Sequence, residues 1–159
     1  MPQSMIIGGS NPTPGDQLPK WLGTVGGKND GNVTKLGQAV ILNQPEDDPE
    51  WSPARADGAN STRVTGVVIQ IDEDHTAEGD FLRLRYAPGI VTLSEAQWAQ
   101  VTDDAAALNP GNPYFLSDTT AGNITQTAPT ASNHYVVVVG WAISSTELMV
   151  QIGTPIKNP

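Results

Sequence analysis

The stretch DFLRLRY, Asp80 to Tyr86, sets Leu82, Leu84 and Tyr86 at every second position with Arg83 and Arg85 between them. In an extended strand successive side chains point to opposite faces, so this spacing predicts one buried face and one that meets water or a partner. A helix would need its apolar residues three and four apart instead. Outward from this stretch the same kind of segment recurs, rich in β-branched and aromatic residues and bounded by turn signals. Strands are read in QAVILN (Gln38 to Asn43), RVTGVVIQID (Arg63 to Asp72), IVTL (Ile90 to Leu93), YFLS (Tyr114 to Ser117), NITQT (Asn123 to Thr127), HYVVVVGWA (His134 to Ala142) and ELMVQI (Glu147 to Ile152). Val136 to Val139 is apolar on both faces and predicts a central strand. One helix interrupts the series. Ser94 followed by Glu95, Ala96 and Gln97 fits a capping box, which predicts a short helix over SEAQWAQV with Trp98 docked on the sheet. The expected fold class is all-β: a compact single-domain sandwich or barrel-like fold with one short helix, since short strands with turns suit either closure.

A chain of 159 residues suits one core. Residues 1–32 are read as an extended, irregular N-terminal arm and residues 33–159 as the β-rich domain, because prolines and glycines recur through MIIGGS, NPTPGDQLPKWLG and TVGGKNDGN too often for a regular element. Met5, Ile6, Ile7, Leu18, Trp21 and Leu22 are nevertheless apolar, which a solvated tail does not require. They either pack on their own domain, lie across a neighbouring subunit, or stay disordered as termini do unless tied down. Of the four tryptophans, Trp98 and Trp141 are expected in the core. Trp21 and Trp51 stand in irregular segments, where an aromatic anchors an interface or packs on its own chain. The candidate partner-binding residues are therefore Met5, Ile6, Ile7, Leu18, Trp21, Leu22 and Trp51. The acidic loop EDDPEW, Glu46 to Trp51, and ADGANST, Ala56 to Thr62, are the long excursions in which a β scaffold carries contacts.

Eight basic against seventeen acidic side chains give a net charge of −9 without a basic cluster, which argues against nucleic acid or anionic lipid as a partner. No apolar run approaches the roughly 20 residues of a membrane helix, and the N-terminus lacks the features of a signal peptide, so a soluble chain made in the cytoplasm is expected. With no cysteine there is neither a disulfide framework nor a thiolate nucleophile. IDEDHTAEGD, Ile71 to Asp80, gathers hard donors, but as a calcium loop it puts Ala77 where glycine belongs and Arg83 where the bidentate glutamate belongs. It is read as a solvated turn. GGKN, Gly26 to Asn29, has Leu22 in place of the first phosphate-loop glycine and Asn29 in place of the magnesium-binding hydroxyl, and is read as a flexible connector. His75 and His134 lack a nucleophile in any familiar local arrangement. No catalytic residue, metal site or cofactor is predicted, and the chain is not expected to be an enzyme.

Asn109 to Pro129, NPGNPYFLSDTTAGNITQTAP, reads as a hairpin unit: NPGNP turns the chain, Tyr114 to Ser117 is a strand, Asp118 to Gly122 turns again, and Asn123 to Thr127 pairs back. LNPGNPYFLS, then TTAGNITQTAP, then VVVVGWAISSTELMVQIG, in this order and spacing from Leu108 to Gly153, resemble a β module of small structural proteins of tailed bacteriophages, especially head-decoration (cement) proteins. Strands like GQAVIL and VTGVVIQ precede the module in that family, whereas the acidic loop at Glu46 and the proline-rich arm depart from it.

The resemblance implies a decoration protein on the outer surface of the virion capsid, made in the host cytoplasm, binding the major capsid protein as a homotrimer. The alternative is a tail or fibre-associated module that binds host-surface glycan. The chain has no heptads for a fibre coiled coil, which favours the capsid.

Overall fold

In the computed structural model, residues 24–43, 50–59, 61–71, 78–86 and 88–159 are described. Five strands, β1 (Thr24–Asp30), β2 (Ala39–Asn43), β3 (Glu50–Pro53), β4 (Gly66–Ile71) and β5 (Glu78–Arg85), close into a barrel in the order β1-β3-β2-β4-β5. Strand β1 runs parallel to β3 and antiparallel to β5, and the second pairing closes the ring. The alternation in DFLRLRY points Leu82 and Leu84 into the barrel, where they are fully buried with Val33, Val40, Val68 and Trp51. Tyr86 lies past the end of β5 and is half exposed.

Residues 24–30, assigned to the arm from their glycines, form β1 and complete the barrel. The reason lies in a contact distant in sequence. A Cβ at Gly27 would collide with the indole nitrogen of Trp51, so the glycine makes room for the tryptophan within the barrel rather than breaking the strand. GGKN is accordingly strand, not a flexible connector. Trp51 belongs to β3, not to a loop.

The remaining elements are β6 (Gly89–Thr92), α1 (Glu95–Trp98), β7 (Pro113–Leu116), β8 (Ile124–Thr125), β9 (Tyr135–Val136), β10 (Val138–Ala142), β11 (Glu147–Val150) and β12 (Ile156–Lys157). Five of them make a sheet in the order β6-β11-β10-β7-β8, with β10 central; the run Val136 to Val139, expected as one central strand, is divided between β9, which pairs with β12, and β10. The NPGNP turn is built on Gly111 at φ +82°, and Asn112 N–H donates to the Asn109 carbonyl at 3.3 Å. The following β7–β8 hairpin pairs Phe115 with Thr125 and Leu116 with Ile124. Tyr114 is buried, and its hydroxyl accepts from Asn109 N–H at 2.9 Å and from the Gln126 amide at 2.8 Å. The capping box at α1 has both of its bonds, Ser94 Oγ accepting from Gln97 N–H and the Gln97 side chain accepting from Ser94 N–H. Trp98 is buried with its indole N–H on the Thr146 carbonyl at 3.0 Å.

The apolar interior forms two clusters instead of the single core expected. Strands β2 and β4 are apolar on both faces and serve as a shared wall. Val40 and Val68 point into the barrel, whereas their neighbours Ala39 and Val67 point to the larger cluster under the second sheet, with Trp98, Tyr114, Leu116 and Leu148. Backbone bonds cross the same boundary: Ala39 N–H to the Gly122 carbonyl at 2.9 Å, Ala56 N–H to Ser117 at 2.8 Å, and Tyr135 N–H to Ala56 at 2.8 Å.

Candidate interaction surface

The second sheet is apolar on both of its faces, and among the described residues only one is covered. Val91, Leu148, Val150, Ala142, Tyr114 and Leu116 point inward and are buried. On the outer face the registers Ile90↔Met149, Met149↔Trp141 and Trp141↔Pro113 set four apolar side chains in one row across β6, β11, β10 and β7. Directly opposed residues on one face approach to about 5 Å between Cβ atoms, so the row is continuous. Ile90 and Trp141 are each 46% exposed, and Ile143 beside them is 47% exposed. Val138 and Phe115, also paired, extend the surface in half-buried form. Trp141 is thus not the core residue that its place in an apolar strand predicts. Its neighbours Gly140 and Ala142 take the inward positions of β10, and strand parity sends the indole out. Contiguous exposed apolar surface of this kind marks an interaction site more often than scattered single residues do.

The row ends at β6, which is also an edge of the sheet. Leu93 N–H donates to the Thr146 carbonyl at 3.0 Å, and Val91 and Gly89 stand opposite Leu148 and Val150. Antiparallel pairing alternates, so the backbone groups of Gly89, Val91 and Leu93 turn toward β11 and those of Ile90 and Thr92 turn outward. The far edge, β8, is covered: Ile124 N–H donates to Val101 at 2.8 Å and its carbonyl accepts from Asp103 N–H at 3.1 Å. Beside β6 opens a cleft of about 390 Å³, with Ile69, Gln70 and Arg85 on the barrel side and Ile90, Thr92 and Leu93 on the sheet side.

Of the residues singled out in the sequence for partner binding, Met5, Ile6, Ile7, Leu18, Trp21 and Leu22 lie outside the described residues. Trp51 is 6% exposed inside the barrel and spends its surface on its own chain. The row Ile90, Met149, Trp141 and Pro113 was not among the candidates. Its signal is present in IVTL and ELMV, which are apolar at both parities, a pattern that in an antiparallel sheet demands either a cover on each face or an exposed one.

Within the candidate metal stretch, residues 72–77 lie outside the described residues, and among the described residues no group of three or more His, Asp or Glu side chains is placed to hold a metal ion. His134 precedes β9, and its Nδ1 is 2.9 Å from Asp118 Oδ2, a pair that ties the loop after β7 to the strand. Its carbonyl accepts from Asn158 N–H at 2.8 Å, so the residue has a structural task. No family model, no curated protein and no solved structure matches the chain.

Proposed function

We propose that the chain is a non-catalytic structural protein of a tailed bacteriophage head: a decoration protein that lies on the outside of the capsid shell, binds the major capsid protein and forms a homotrimer. The observation that carries this reading is the outward-facing row Ile90–Met149–Trp141–Pro113, in which Ile90 and Trp141 are exposed and Met149 and Pro113 half-buried. Three of its four members belong to the segment Leu108 to Gly153, whose motifs resemble those of the decoration proteins. Burial of such a row is favourable by roughly 25 cal/mol for each Å² removed from water, before ordering costs. A modest contact of this size suffices when it repeats around a symmetric shell, because each bound trimer engages several neighbouring sites at once. An acidic chain with a net charge of −9 also stays off the packaged genome.

The test is co-sedimentation of the purified protein with undecorated, expanded phage heads, using the native chain and Trp141→Glu. Saturable binding in multiples of the capsid's three-fold sites, weakened at least tenfold by Trp141→Glu, is expected. Failure to bind heads, together with attachment to host cells or their surface polysaccharide, would move the chain to the tail.

A further inference from the structure

Strand β6 leaves the second sheet unfinished. Among the described residues no strand pairs with its far side, where the backbone groups of Ile90 and Thr92 point outward. An open edge of this kind is a template for a further strand. The side chains of such a strand would alternate between faces, and those opposite Gly89, Val91 and Leu93 would enter the cleft between β6 and the barrel. The cleft, about 390 Å³, falls within the roughly 300–1,000 Å³ of ligand sites. Its two ends differ in chemistry. At the start of β6 lies the guanidinium of Arg85. A Cβ at Gly89 would stand 3.0 Å from Arg85 Nη1, so the glycine admits the arginine side chain at this point. The barrel holds its backbone, since Arg85 is in register with Thr24 on β1 and with Val67 on β4. Further along β6, Ile69 and Leu93 supply apolar walls. In a chain of net charge −9, the charged side chain among the described residues lining this cleft is a cation. An incoming segment is therefore matched by an acid at one end and an apolar group at the other.

We propose that the open edge of β6 binds an extended segment of a partner protein, which adds as a strand and sets a carboxylate against Arg85 and, two residues away, a β-branched apolar side chain against Ile69 and Leu93. The backbone of the segment pairs with Ile90 and Thr92. A planar guanidinium takes a carboxylate through two parallel N–H···O bonds, and this contact selects one register for the added strand. The inference is independent of the capsid reading, since it concerns the edge and the cleft rather than the outer row, and it is tested with no shell present.

The probe is a ribosome-displayed library of random short peptides, selected on the full-length native chain. Sequences with Asp or Glu two positions from Val or Ile are expected to be enriched about tenfold over the starting library. The best of them, made synthetically, should bind Arg85→Gln about tenfold more weakly than the native chain. Arg85→Glu should recover binding when the acid of the peptide is exchanged for Lys, a rescue that a misfolded variant could not give. No enrichment, enrichment of sequences without an acid, or equal binding to the native chain and Arg85→Gln overturns the proposal. A second measurement needs no variant. Amide hydrogen exchange of the native chain at Ile90 and Thr92 is expected to slow about tenfold with the selected peptide bound, while Val91, bonded to β11, stays unchanged. A bound peptide that leaves both amides as they were sinks the added strand.

Discussion

Gly27 has no side chain because the indole of Trp51 occupies the space where one would stand. Gly27→Ala forces either the barrel wall or the tryptophan to move, and overpacking of this kind costs about 1–3 kcal/mol. Gly111 makes the opposite case. It holds φ +82° at the tip of the NPGNP turn with open space where a Cβ would go, so Gly111→Ala meets only the left-handed backbone penalty of about 1 kcal/mol. Urea unfolding of the two variants is expected to rank Gly27→Ala as the more damaging, and the reverse order would mean that Trp51 relaxes without cost. Gly111 was legible because an Asn-Pro-Gly run is a turn by its own chemistry. Gly27 was not, because its reason is a side chain on another strand, and the local sequence around it reads only as glycine-rich.

At the scale of the element, the same division between local and distant causes decides what the sequence reveals. Helix α1 is four residues long, too short to persist on intrinsic propensity, and its cap does much of the work of holding Trp98 over the Thr146 carbonyl. Ser94→Ala removes the acceptor for Gln97 N–H and is expected to lower stability by about 1 kcal/mol. Ser94→Asp, which keeps an acceptor, should retain most of it, and thermal unfolding of both reads the difference. A loss equal in the two variants would show that the hydroxyl is not acting as the cap. The capping box and the β7–β8 hairpin were readable because each is written in adjacent residues. Strands β1 and β3 were not. β1 carries two glycines, β3 ends on a proline after an acidic run, and their parallel pairing depends on a closure the linear order conceals. The outward turn of Trp141 escaped for a related reason, since strand parity is set by which neighbour lies inside, and Gly140 and Ala142 give little apolar signal of their own.

For the whole molecule, the shared wall of β2 and β4 determines how barrel and sheet behave together. Val67 and Val68 are consecutive, both fully buried, and face different clusters. Backbone bonds also join barrel and sheet, among them Ala39 N–H to the Gly122 carbonyl and Gly122 N–H to the Ala54 carbonyl. Loss of either cluster therefore exposes a face of the other, and the two are expected to unfold in one step. Trp51 reports from inside the barrel and Trp98 from under the second sheet, so each can be followed in a chain whose other tryptophans are Phe. Val68→Ala removes buried methyl groups from the barrel alone, a loss of about 2 kcal/mol. It should move the urea midpoint seen by Trp98 as far as the midpoint seen by Trp51. Separate midpoints, with Trp98 unaffected, would show that the wall divides the molecule instead of coupling it. Trp141 supplies the contrast. Its side chain stands on the outer face, so Trp141→Ala should leave both midpoints within about 0.5 kcal/mol of the native protein. An apolar side chain that adds so little to the chain's own stability, set in a row with Ile90 and Met149, belongs to the kind of surface that marks an interaction site more often than scattered single residues do.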